Sequence, residues 1–338
     1  MRESSIVGQR SEMVDLARGI AAICLIIDHS IISTPINLCT IRWCKGLGDF
    51  ISIFDLPLFF IVAGYVFSCT AYKVYFLKKV RRIGVPYLVF SGVSIAFHVY
   101  AGEFLAGGGA TFREGAIDLL IRGGEYWFLY TIFFIYLIFP VIVSICDKNT
   151  FSCAVGLCVV ILGASIDVTT DLFLINRVLQ YLPYFYVGWL LRKEVNKGVS
   201  RFYLHYWPLG VILVAFLLKV NVSNKTYLKS FTMALGFCYT LIGFLYSTNN
   251  CKWFSSIAKC ESNYVKRFIL ICGRYSLQLY LFNMYLQVLI RIVICSVLGI
   301  SNAFLIIAVG SALNFIVILP ICSVLEKHTS ILKCACGL

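Results

Sequence analysis

Residues 15–30 read DLARGIAAICLIIDHS, an apolar run that nevertheless carries Asp15, Arg18, Asp28 and His29. Each of these groups costs free energy at membrane depth, so their retention asks for a chemical reason. On a helix each residue turns about 100° and rises about 1.5 Å. Arg18 and His29 therefore lie within about 20° of one face and about 16 Å apart in depth, with Asp15 near the same stripe. Gly19 and Ala22 flank the stripe with small side chains that admit another helix or a ligand. Imidazole accepts and releases a proton near neutral pH, which makes His29, with Asp28 beside it, a candidate for proton transfer. The bland alternative has Arg18 snorkelling to the interface while His29 and Asp28 bond each other or a neighbouring helix.

A second group of chemistry-bearing residues is KVYFLKKVRR, residues 73–82, with Lys78, Lys79, Arg81 and Arg82 close together. It reads either as a topological anchor touching anionic lipid head groups or as an anion site beside a helix N-terminus expected near Gly84 and Pro86. Arg177 and Arg274 fall near or within apolar runs and are open between ion-pair partner and substrate contact. Trp127 stands where a membrane-interface aromatic is expected. Fifteen cysteines are present, but most lie in apolar runs, no CxxC pair occurs, and His29, His98, His205 and His328 lack the spacing of zinc ligands. No metal site is expected. The terminal KCACGL has its cysteines at the wrong positions for prenylation, and the first apolar run continues directly into IIDHS without a small-residue cleavage site, so no cleavable signal is expected.

The elements that must position these residues follow from composition. Hydrophobic residues make up 60% of the 338 positions and charged residues 13%, with a mean hydropathy of +0.88, a profile that excludes an ordinary soluble domain. The chain breaks into about ten apolar stretches long enough to cross a bilayer. They start near Leu16, Phe50, Gly84, Tyr126, Phe151, Leu172, Leu204, Ser230, Ile271 and Ala303. The fold class expected is all-α: a polytopic integral membrane protein forming one domain over residues 1–338. The Gly-rich connection from Ala101 to Glu125 is expected to be a re-entrant or interfacial segment. Lys and Arg concentrate in the loops on the side of the N-terminus, against Arg42, Lys45, Arg113, Arg122, Lys219, Lys225 and Lys229 opposite, so both termini are expected to be cytoplasmic. The net charge of +13 is scattered through these loops rather than gathered in a groove, which argues against nucleic acid as a partner.

The chain also resembles a known family, the acyltransferase 3 family of integral membrane O-acyltransferases. DLARGIAAICLIIDHS is similar to that family's Arg-x10-His signature, with Arg18 and His29 as the matching residues. PLFFIVAGYVFS (57–68), LKKVRRIGVPY (77–87), YWFLY (126–130), LPYFYVGWLLRK (182–193) and GRYSLQLYLFNMYL (273–286) follow in the family's order. One departure stands out: where many relatives end the last motif in a histidine, this chain has Asn283. Asn can still donate and accept hydrogen bonds.

The resemblance implies transfer of an acyl group, most often acetyl from acetyl-CoA, to a sugar hydroxyl of a bacterial surface polysaccharide or its lipid-linked precursor. It implies a location in the bacterial cytoplasmic membrane and no permanently bound cofactor. Lys78, Lys79, Arg81 and Arg82 would take the phosphates of the donor, with Arg18 on the path of the pantetheine arm. His29 would remove the proton from the sugar hydroxyl, and Asp28 or Glu125 would orient its ring. An acyl-histidine intermediate is the mechanistic alternative. Glu125, Trp127, Arg177, Arg274 and Asn283 are the candidate substrate contacts, with Arg177 and Arg274 still open between that role and an ion pair and Trp127 favoured as an interface aromatic, and the outer loops with Glu125, Asp167 and Asp171 are where an acceptor sugar would be read. The rival class is a polytopic transporter or lipid-linked sugar flippase, which also needs about ten spans and buried charges. The clustering of Arg18, His29 and the basic segment favours a cytoplasmic CoA donor over a translocation path.

Overall fold

In hydrocarbon no water is at hand for N–H and C=O groups, so a chain this apolar satisfies its backbone within helices. The computed structural model is helical throughout the residues it describes, which are 12–33, 37–69, 71–101, 111–166, 168, 172–196, 227–250, 264–327 and 334–337. Helix α1 spans Glu12–Ile32, α2 Arg42–Ile51, α3 Asp55–Tyr65, α4 Tyr72–Lys79, α5 Val85–Ala101, α6 Phe112–Arg122 and α7 Trp127–Cys146. Then follow α8 Thr150–Ala164, α9 Ile175–Asn196, α10 Tyr227–Asn250, α11 Tyr264–Arg274, α12 Ser276–Arg291 and α13 Ala303–Lys327.

Among the described residues, five helical stretches are long and apolar enough to cross a membrane: Arg42–Tyr65, Tyr72–Phe97, Phe112–Cys146, Ser276–Val297 and Ala303–Lys327. That is fewer than the ten read from hydropathy. Helix α1 has 21 residues, a sufficient length, but Asp15, Arg18 and Asp28 reduce its apolarity. Helix α8 and residues 230–243 of α10 are apolar but shorter. The expected span at Leu204 lies outside the described residues, as do Asp167, Asp171, His205, His328 and the side chain of His98.

Helix α1 is the hub, touching α2, α3, α10, α11, α12 and α13. Its closest neighbour is α11, because small residues meet at the crossing. A Cβ at Gly19 would stand 2.0 Å from the Ile269 carbonyl oxygen, and one at Gly273 would stand 1.8 Å from that of Asp15. The flanking role expected of Gly19 is thus a backbone-to-backbone contact. The same device joins α3 to α9, where a Cβ at Gly64 or Gly188 would lie 1.9 Å from the carbonyl of Phe185 or Ile61. Gly188→Val is expected to force these helices apart and destabilise the bundle by about 1–3 kcal/mol or more. Melting of the detergent-solubilised variant beside wild type checks this; an unchanged midpoint would mean that the crossing relaxes freely. Around that crossing the core is aromatic, with Phe139 and Phe185 ring centroids 4.6 Å apart and Phe67 and Phe139 4.9 Å apart. Apolar side chains such as Val141, Leu162, Phe304 and Ile316 face outward, where lipid would cover them.

The Gly-rich connection contains one ordered element. Thr111 and Glu114 form a reciprocal capping box that starts α6, and Gly123 stops the helix at φ 73°. Helix α6 buries none of its residues and exposes Phe112, Ile117 and Leu120, as an interfacial segment would. The expected helix N-terminus near Gly84 and Pro86 is absent. Residues Val80–Gly84 form a π-turn that carries α4 into α5 without a break, and the Val85 N–H donates back to the Val80 carbonyl. A π-turn absorbs the missing N–H of Pro86 without ending the helix.

Candidate functional site

Asp15, Arg18, Asp28 and His29 lie along α1, and α12 runs beside it. Gly273, just before α12, abuts Asp15, and Asn283 of α12 lies against His29. The Asn283 amide and His29 Nδ1 are 2.6 Å apart. Asn283 is fully buried and His29 half-buried, so the contact is sheltered at one ring nitrogen while the rest of the ring retains some access. Asn283 Oδ1, as placed, has no hydrogen-bond partner. The ring-orienting position that the sequence suggested for Asp28 is held here by Asn283. Asp28 instead turns toward α2, its Oδ1 3.2 Å from where a Cβ at Gly48 would stand. The charge of Asp49 reaches it there, and its own charge reaches Asp55. Asp55 is itself buried at the start of α3, with its Oδ1 accepting from the Leu56 N–H at 2.7 Å. It is a buried carboxylate near His29's helix that the motif reading passed over.

Above Asn283 the polar face continues. Gln287 donates to Ser30 Oγ, Arg291 donates from Nη2 to the Ser30 carbonyl, and Asn314 of α13 donates to Gln287 Oε1. Ser30 and Ser311 hydroxyls are 3.0 Å apart. Arg291 is 2% exposed, and its bond to Ser30 satisfies one of the carbonyls left open at the end of α1, where a cation is favoured. Asn283, Gln287 and Arg291 repeat at four-residue intervals, so their common face was available from spacing alone.

The basic segment divides. Lys79 turns inward, its Nζ 3.4 Å from the centroid of the Tyr136 ring and 5.4 Å from that of Tyr75. Lys78, Arg81 and Arg82 are exposed. Residues 334–337 pack beside them: Cys334 Sγ donates to the Arg81 carbonyl at 3.9 Å, and Gln278 Nε2 to the Cys336 carbonyl at 2.8 Å.

The remaining expected contacts fall in three places. The Arg177 guanidinium stacks 3.8 Å from the centroid of the Trp127 ring, which gives both a partner. Arg274 pairs with Glu326, and Tyr275 Oη donates to the same carboxylate at 2.6 Å. That is an ion pair between α11 and α13. Glu125 accepts from Ser94 Oγ of α5. Next to it, Tyr126 Oη donates to the Leu281 carbonyl at 2.9 Å, which ties the head of α7 to the turn of α12 that carries Asn283.

The site thus brings together an imidazole held at one nitrogen by a buried amide inside the helical bundle and, elsewhere in the same bundle, the exposed cations Lys78, Arg81 and Arg82. No curated protein and no solved structure matches the chain. The family model for the acyltransferase domain covers residues 12–323, nearly the whole chain, and the protein therefore belongs to the acyltransferase 3 family.

Proposed function

We propose that the protein transfers acetyl from acetyl-CoA to a sugar hydroxyl of a cell-surface polysaccharide or its lipid-linked precursor. In this reading it works in a bacterial cytoplasmic membrane with both termini inside. The observation that carries the reading is the His29–Asn283 contact within a chain of acyltransferase family. Lys78, Arg81 and Arg82 offer the donor's phosphates exposed, flexible cations. Arg18 lies on α1 between that end and His29, about 16 Å below the imidazole by helical rise.

The chemistry assigned to His29 balances simply. Its free ring nitrogen takes the proton from the sugar hydroxyl as that oxygen attacks the thioester carbonyl. The tetrahedral intermediate then collapses, the C–S bond breaks, and the imidazolium returns its proton to the departing thiolate of CoA. Asn283 holds Nδ1 and so keeps Nε2 as the reacting atom.

Purified protein incubated with radiolabelled acetyl-CoA and a panel of free and lipid-linked glycans tests the proposal. Release of CoA coupled to label on a glycan supports it. A protein that neither consumes nor binds acetyl-CoA would return the field to a carrier. A second expectation concerns the donor end. Replacing Arg81 and Arg82 together by Gln should raise the apparent KM for acetyl-CoA about three- to tenfold with little change in kcat, since exposed cations contribute modestly. Unchanged donor dependence would leave the pair a topological role. Because Lys79 is committed to Tyr75 and Tyr136, Lys79→Gln is expected to affect folding yield more than donor affinity.

A further inference from the structure

Arg291 is a buried cation that the transfer chemistry above does not use. It is 2% exposed in a helical stretch, Ser276–Val297, apolar enough to cross the membrane. Among the described residues no carboxylate lies against it: it donates to the Ser30 carbonyl and the Cys295 thiol, with the Cys44 thiol nearby. A guanidinium kept at membrane depth without a counter-charge is costly, and such residues mark function. A π-turn, Ile292–Val297, begins at the next residue, and π-turns are frequent at functional sites.

Ser30 follows His29, and both stand in the last turn of α1, which ends at Ile32. A terminal turn frays, because its last carbonyls have no N–H within the helix. Here the turn is held. The Ser33 N–H and hydroxyl both donate to the His29 carbonyl, at 3.1 and 2.6 Å. Ser30 Oγ donates to the Ile26 carbonyl at 2.8 Å and accepts from Gln287, which in turn accepts from Asn314 of α13. Arg291 takes the Ser30 carbonyl with a charged donor, the kind favoured at a helix C-terminus.

We infer that Arg291 is a positioning residue for His29: through the Ser30 carbonyl it fastens the last turn of α1 to α12 and so fixes where the imidazole stands. The effect on rate rests on the acyltransferase reading above, whereas the effect on the ring does not. Asn283, Gln287 and Arg291 stand about 6 Å apart by helical rise on one face of α12. Helical side chains lean toward the helix N-terminus, so the two longer ones reach back to Ser30 while Asn283 meets His29. Without the Arg291 bond the turn is free to fray, and the ring leaves the one placement in which Asn283 holds Nδ1. Packing alone gives no reason for this charge, because an apolar side chain of similar volume is often no less stable in a buried site.

Three variants of the whole protein in lipid nanodiscs test this: Arg291→Met, Arg291→Lys and Gln287→Leu, each read by turnover, by melting and by nitrogen NMR of histidine-labelled protein. The chain has four histidines, and His29→Ala identifies the His29 signals. Arg291→Met should lower kcat about 10- to 100-fold with the KM for acetyl-CoA within about twofold, while its melting midpoint does not fall. His29 should change from one imidazole tautomer to a mixture, with the other histidines unmoved. Arg291→Lys should stay within about threefold of wild type in kcat, because an ammonium can still donate to the Ser30 carbonyl. Gln287→Leu should move kcat and the His29 signals in the same direction by less, and where Arg291→Met does not fold it carries the test, unaltered signals in it counting against the inference. Wild-type kcat in Arg291→Met, an unaltered His29 signal, or a loss of turnover that only follows a lowered midpoint would overturn it. The His29 signals also separate the two readings. A tautomer that depends on Arg291 in a protein that never consumes acetyl-CoA keeps the positioning role and removes the transferase. Transfer to a glycan with His29 indifferent to both Arg291→Met and Gln287→Leu does the reverse.

Discussion

His29→Ala should abolish acyl transfer, with kcat falling by about 10²- to 10⁴-fold, while membrane insertion and yield stay at the wild-type level. The size of the effect follows from the role: without a proton acceptor at the attacking oxygen, the hydroxyl must attack the thioester carbonyl unassisted. Insertion should survive because the substitution removes a polar group from α1 and lowers the cost of burying it. The burial of its partner adds a smaller effect, since Asn283 would lose its contact inside the bundle. His29→Gln separates the two, because Gln can restore a hydrogen bond to Asn283 but cannot act as the base. Rate measurements with labelled acetyl-CoA, wild type beside both variants, check the expectation. An alanine variant that keeps a tenth or more of the turnover would remove His29 from the chemistry.

Much of this centre can be read from one dimension because α1 is a single helix. The near coincidence of Arg18 and His29 on one face needs only the helical repeat. The tolerance of Gly19 for a close neighbour needs only its missing side chain, although the neighbour, Ile269, lies 250 residues away. The placement of Asn283 was half legible. The motif pointed to that position, but contact with His29 depends on α12 running alongside α1 at one particular depth, which no local pattern sets.

Other placements depend on contacts that no local pattern sets. Asp28 follows its own side of α1 toward Gly48 and away from His29, as an angular step of about 100° between neighbours requires. Lys79 belongs by sequence to a run of cations, yet Tyr136 of α7 draws it out of that run. Pro86 suggested a helix start, and the π-turn at Val80–Gly84 accommodates it within a continuous helix. Arg274 meets Glu326 of α13, a partner 52 positions further along the chain that its own motif does not announce. The face shared by Asn283, Gln287 and Arg291 was visible in its spacing, but its meaning depends on Ser30 and Asn314, which α1 and α13 supply.

Asn283→Leu should lower kcat by about 10²-fold or more while leaving the KM for acetyl-CoA within about twofold, because the amide acts on the imidazole and not on the donor. The heavy-atom contact at 2.6 Å fits either end of the amide against Nδ1, since its oxygen and nitrogen exchange places by a half-turn. General-base action at Nε2 requires the oxygen there, accepting from Nδ1–H and leaving the lone pair on Nε2. Leu is close to Asn in size but offers no acceptor, so the ring loses both its tautomer and its orientation. Asn283→Asp keeps the acceptor and adds a negative charge, which favours the protonated imidazole and raises its pKa. The base form then exists only at higher pH, and the acid limb of the kcat profile should move upward while part of the activity is retained. Asn283→His, which restores the residue many relatives carry, should retain activity if either residue serves by holding the ring. Rate and pH profiles of the three variants make the distinction. A leucine variant with unchanged kcat, or an aspartate variant whose profile does not move, would show that Asn283 only packs between α1 and α12.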